Sequence, residues 1–283
     1  MISDHKYIKV RDGLELYCSI RESGKKTWLI AVHGVGEHLT RHNYLHELFG
    51  NDFNIFQFDL RGHGKSHGAR AWVENFFDYS RDLAEVTRYL YDHYKMQRYV
   101  LFGHSMGALV SSGFMKFHLN EAALSPEAIF LNAPPVGFPG PLGHMVRFLP
   151  KQIFQKLAEV KFSLPVSGLV DLNYLSHDPQ VKTDYINDDL NCLSLHTKLL
   201  LELVKASGLV FDGPLHWPMP TYVTAGSEDR VVGFNDLVRY FKHTELKTKL
   251  KVFRGAYHEI HNEVEEFRKP YLEYLKQTLL AFA

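Results

Sequence analysis

Five continuous apolar runs organise this chain: TWLIAVHG (27–34), NIFQFDLRG (54–62), RYVLFGHS (98–105), EAIFLNAP (127–134) and MPTYVTAG (219–226). KLKVFRG (249–255) is a shorter, more polar sixth. Runs of this length suit strands buried on both faces, as in a parallel sheet. Between them, apolar residues return at helical spacing, as in Phe76, Tyr79, Leu83, Val86 and Leu90, and again in Val264, Phe267, Tyr271, Leu275 and Leu279. Ahead of the runs, residues 5–10 and 14–20 alternate apolar and polar around Asp12-Gly13, which reads as a hairpin. The expected fold is therefore α/β, a mostly parallel central sheet with helices on both faces and an antiparallel start.

Residues 135–215 break that rhythm. They hold helix-like pieces, MVRFLPKQIFQKLAEV and HTKLLLELVKAS, separated by Pro and Gly. An excursion of this length between two core strands is too long for an ordinary connection. It reads as an inserted helical cap, with 1–134 and 216–283 forming the core.

The seam YVLFGHSMGALV (99–110) brackets Ser105 with Gly103 and Gly107. G-x-S-x-G between a strand and a helix is a nucleophile elbow: the turn is sharp, and side chains two residues to either side would collide with neighbouring elements. The strain holds the hydroxyl out at the carboxyl edge of the sheet. A serine so placed needs a base, and the base needs an orienting acid, in the chain order Ser, Asp or Glu, His. Asp229 lies just past the strand MPTYVTAG, where an acid can reach the site, with Glu228 pointing elsewhere. His258 lies on the loop after the last strand. His261 is its rival, but a helix beginning near 259–262 would turn it away from the sheet edge. With 17 histidines in the chain, position rather than residue type carries this choice. The oxyanion of a tetrahedral intermediate needs two donors. The amide of Met106 is one, and the loop His33-Gly34-Val35-Gly36-Glu37-His38 offers the amide of Val35 as the other.

Other chemistries are not supported. Gly64-Lys65-Ser66 lacks the first glycine of a phosphate-binding loop, since Asp59 stands there. Gly62-His63-Gly64 has His67 where a dinucleotide fingerprint needs its third glycine. His33 with Glu37-His38 is spaced one residue too long for a zinc motif. No cofactor or metal is expected. Thirty-two basic residues balance 32 acidic ones, and no basic run suggests nucleic acid. Cys18 and Cys192 cannot build a disulfide framework. MISDHKYIKVRDG lacks the apolar run of a signal peptide, and no apolar stretch of about 18 residues is present, so a cytoplasmic location is expected.

HGVGEH, FDLRGHGKSHG, GHSMG, AGSEDR and GAYHEIHNE, in this order and spacing, resemble the monoacylglycerol lipase and lysophospholipase group of the α/β-hydrolase superfamily. LSHDPQVKTDYINDDL (175–190) extends the similarity into the cap. The resemblance implies a triad of Ser105, Asp229 and His258, an oxyanion hole of Val35 and Met106, and no cofactor. It further implies a single-chain acyl lipid as substrate. The family motif often reads Asp-Pro-Leu where this chain has Asp188-Asp189-Leu190, which leaves substrate detail open. In the cap, Leu142, Met145, Val146, Phe148, Leu149, Ile153, Phe154 and Leu157 are interleaved with Arg147, Lys151, Lys156 and Lys161. That composition suits either an amphipathic surface resting peripherally on a membrane or a cap helix packed over the site.

Overall fold

The Asp12-Gly13 turn forms as the sequence requires, with Gly13 at φ +85°. It joins β1 (Asp4–Lys9) to β2 (Glu15–Arg21), antiparallel from Asp4 opposite Ile20 to Lys9 opposite Glu15. This computed structural model describes residues 4–140, 143, 146, 148, 151–160, 163–242 and 247–283. Leu142, Met145, Leu149, Arg147 and Lys161, of the segment expected to form a cap, lie outside the described residues, as does the side chain of Lys151.

The five apolar runs become β3 (Thr27–Val32), β4 (Asn54–Phe58), β5 (Arg98–His104), β6 (Ala128–Asn132) and β9 (Thr221–Gly226), and the sixth becomes β10 (Thr248–Phe253). The eight-stranded sheet runs β1-β2-β4-β3-β5-β6-β9-β10. β2 pairs antiparallel with β4, and every pair from β4 to β10 is parallel.

Strand alternation divides the apolar runs between two layers. Trp28, Ile30 and Val32 of β3 face one core, together with Tyr79, Leu83 and Leu90 of α2 (Phe77–Tyr94). Leu29 and Ala31 face the other, with Leu45 and Phe49 of α1 (Tyr44–Phe49) and Tyr271, Leu275 and Leu279 of the C-terminal helix Glu265–Leu280. Both faces are thus covered, which is why these strands read as continuous apolar runs. α3 (Met106–Gly113) leaves β5 at Ser105 and widens into a π-helix at Phe114–His118.

Between β6 and β9 lie α4 (Lys151–Ala158), α5 (Pro179–Asn187) and α6 (Thr197–Val210). A two-stranded antiparallel ribbon, β7 (Pro165–Ser167) with β8 (Ser194–His196), also lies here. The ribbon escapes a sequence reading because three residues cannot display a period. Leu199, Leu203, Ala206 and Val210 of α6 join the sheet's own core. No helix among the described residues is long and apolar enough to cross a membrane.

Candidate active site

β5 delivers the chain to a strained position. Ser105 has φ +52° and ψ −119°, a conformation that L-residues rarely adopt. Its amide donates to Asn132 O at 2.8 Å, and its carbonyl accepts the amide of Ala108 at 2.9 Å. The flanking glycines serve space. A Cβ on Gly103 would sit 2.6 Å from Gly107 O, and one on Gly107 would sit 2.2 Å from Val32 O. The sheet and α3 therefore pack around Ser105 only where both side chains are absent.

The loops after β9 and β10 meet this serine. His258 Nε2 lies 2.9 Å from Ser105 Oγ, and its Nδ1 lies 2.7 Å from Asp229 Oδ2. The other carboxylate oxygen, Asp229 Oδ1, accepts the amides of Val231 (2.8 Å) and Val232 (3.0 Å). All three side chains are buried, and Glu228 is exposed. Burial opposes a charge on the His258 ring, but the Asp229 carboxylate against it, with Glu259 and Glu37 nearby, leaves its pKa raised. An imidazole so held can take the serine proton and bear the resulting charge.

His261 goes elsewhere. Its ring is buried, stacked on Tyr44 at 5.0 Å and set 4.9 Å from both His42 and His104. Burial, with His104 and His42 beside it, pushes its pKa well down. Its helical turn, Ile260–Asn262, points the ring into the core beneath the site.

Val35 and Met106 both line the space at Ser105. Gly34 N, in the same loop as Val35, donates to Glu37 Oε1, and His42 Nε2 pairs with that oxygen at 3.0 Å. Burial opposes the charge of Glu37, yet His42, His104 and Arg41 hold its carboxyl well below the usual range. A cavity of about 290 Å³ opens from Ser105 between Leu169, Val170, Leu195, Leu200, Leu203 and Val204. Among the described residues, no group of three His, Cys, Asp or Glu side chains is arranged to hold a metal ion.

The sequence reading did not assign several residues that hold these loops. The amides of His258 and Glu259 donate to the carbonyls of Tyr174 (3.3 Å) and Leu175 (2.8 Å). Glu263 accepts from Tyr257 N (2.8 Å) and His177 N (3.0 Å), so it joins GAYHEIHNE to LSHDPQ. Asp188 Oδ2 lies 2.7 Å from His38 Nε2, and Cys192 N donates to Gly36 O at 2.7 Å. These residues lie in or beside LSHDPQVKTDYINDDL and GAYHEIHNE, stretches that carry the family resemblance, and that is the signal the sequence offers for them.

The family model of Hydrolase_4, described as serine aminopeptidase, S33, matches residues 24–265. The monoglyceride lipase of Mus musculus is 29% identical over 265 residues, covering 90% of this chain and 83% of that protein. The monoacylglycerol lipase of Mycolicibacterium smegmatis is 28% identical over 247 residues, covering 84% and 83%. Among solved structures, the monoacylglycerol lipase of Paleococcus ferrophilus superposes with a TM-score of 0.82 at 24% identity, over 95% of this chain and 100% of that one. The fold is that of the α/β-hydrolases.

Proposed function

Because the chain belongs to the Hydrolase_4 family, serine aminopeptidase S33, we propose that it is a serine carboxylic-ester hydrolase that releases a fatty acid from a single-chain acyl lipid, monoacylglycerol first. One observation carries the reading: His258 bridges Asp229 and Ser105, and Ser105 lines an apolar cavity. Ser105 Oγ attacks the ester carbonyl while His258 Nε2 takes its proton. The amides of Val35 and Met106 receive the oxyanion. His258 then protonates the leaving alcohol, and water, activated by the same ring, releases the fatty acid. Asp229 holds the ring and stabilises its charge. The acyl chain lies between Leu169, Leu200 and Leu203, and residues 135–215 act as the cap over it. The likeness to a monoglyceride lipase and a monoacylglycerol lipase supports monoacylglycerol.

The family's own description favours a second reading, an aminopeptidase. Such an enzyme needs a carboxylate beside the serine to hold the substrate's ammonium. Glu37 and Glu259 line the space at Ser105, but Arg41 engages both. That argues for the ester.

Fatty-acid release from a long-chain monoacylglycerol and from the matching lysophosphatidylcholine separates the head groups, with Ser105→Ala as the blank. The substitution is expected to lower kcat by about 10⁴-fold or more. Hydrolysis of amino-acid anilides in place of both lipids would favour the peptidase.

A further inference from the structure

Two carboxylates beside the site have no part in the mechanism above. Glu37 is on the loop after β3, two residues beyond Val35, and Glu259 directly follows His258. Each is 2% exposed. Arg41 stands between them: its Nε donates to Glu37 Oε2 at 3.1 Å and its Nη2 donates to Glu259 Oε2. Asn262 Nδ2 donates to the same Glu259 oxygen at 2.7 Å, and the guanidinium packs over the Tyr185 ring of α5 at 4.8 Å. A buried cation that holds two buried anions fixes both loops, because removing either partner leaves a charge stranded away from water.

We infer that Glu259 is a positioning residue for His258. Through Arg41 it fixes the loop of the base against the loop of the Val35 amide, and its charge makes the imidazole more basic. The inference rests on the reading of His258 as the base.

The groups facing that ring can be named. Asp229 lies on Nδ1 and Ser105 on Nε2. The His104 ring, from the end of β5, lies 5.0 Å away, and burial, with His258 and His42 beside it, drives its pKa well down despite Glu37, so it stays neutral. From the cap comes the Tyr185 phenol, which burial also keeps neutral. The loop after β3 supplies Glu37 and Arg41. The charged set around His258 is thus three carboxylates against one guanidinium, which favours the imidazolium.

The test is the pH dependence of kcat/KM on a soluble ester. A base must be deprotonated to act, and removing a neighbouring negative charge makes the imidazolium lose its proton more easily. Glu259→Gln is therefore expected to move the acidic limb down by about 0.5–1 pH unit and to lower kcat about ten-fold, with KM changed by less than about two-fold. Glu259→Asp keeps the charge without the reach to Arg41, so it should lower kcat and leave the limb in place. Arg41→Gln strips the compensating cation and should move the limb upward. An unmoved limb in Glu259→Gln with a native Tm overturns the inference. Should that variant not fold, an unmoved limb in Arg41→Gln overturns it equally. Activity that survives Ser105→Ala would instead overturn the reading beneath it.

Discussion

A methyl group is enough to test the elbow. Gly107→Ala puts a carbon 2.2 Å from Val32 O and 2.5 Å from His33 O, both main chain and unable to turn aside. The substitution should cost about 3 kcal/mol or more in urea denaturation. Gly208→Ala is the contrast. It lies within α6 with nothing within 4 Å of an added Cβ, so it should gain about 0.5–1 kcal/mol from helix propensity. The departure at Asp188-Asp189-Leu190 has a similar local explanation. Asp188 keeps the contact to His38 and accepts the amide of Leu190 at 2.9 Å, whereas Asp189 is exposed. Asp188 sits at φ −92° and ψ 110°, the extended conformation that a following proline demands. Asp189→Pro should therefore change stability by no more than about 0.5–1 kcal/mol, with activity retained. That measurement would place the departure outside the chemistry, while Asp188→Ala should disturb it.

At the scale of elements, the segment after α4 is tied down at two places. Residues 171–192 bond to the loops after β3 and β10 through Tyr174, Leu175, His177, Asp188 and Cys192. α6 is pinned as well. Its buried Glu202 accepts from Lys198 (3.1 Å), Lys205 (2.7 Å) and the amide of Phe76 (3.0 Å), and Lys198 also donates to Ala158 O at the end of α4. Glu202→Ala strands the buried Lys198 ammonium and should cost about 3–5 kcal/mol by thermal or chemical denaturation. Lys198→Met, which removes the charge itself, should cost less. These ties also mark what a sequence can carry. The strands and Ser105 could be read because their signals are local: an apolar run, a glycine two residues to either side. The pairs Glu263–His177 and Arg41–Glu259 could not, because residues so far apart in the chain leave no shared period or spacing. The reason for preferring His258 over His261 is also local, a helical turn near 259–262; Ile260–Asn262 is such a turn, and the His261 ring stacks on Tyr44.

For the molecule as a whole, the question is how a lipid reaches Ser105. The cavity at the serine is walled by Leu169, which is itself 48% exposed, so an apolar path runs from the surface to the site. Along the chain leading to it, Phe148 is 78% exposed, and Ile153, Leu157, Val160 and Leu164 are also exposed, while Phe154 and Ala158 of α4 pack inward. α4 therefore has two apolar faces, one buried against the protein at Phe154 and Ala158 and one left exposed at Ile153 and Leu157. The Lys156 side chain lies among the outward residues. If that outward face rests in a lipid interface, each large side chain withdrawn from water contributes about 1.5–3 kcal/mol. Phe148→Glu with Leu164→Glu should then weaken liposome co-sedimentation by about ten-fold or more. The same pair should slow hydrolysis of a long-chain monoacylglycerol presented in vesicles, and should leave hydrolysis of a soluble short-chain ester unchanged, because neither residue lines the cavity. Sedimentation unaltered by both charges would assign the exposed face to some role other than docking, and the lipid would then have to reach Leu169 through solution.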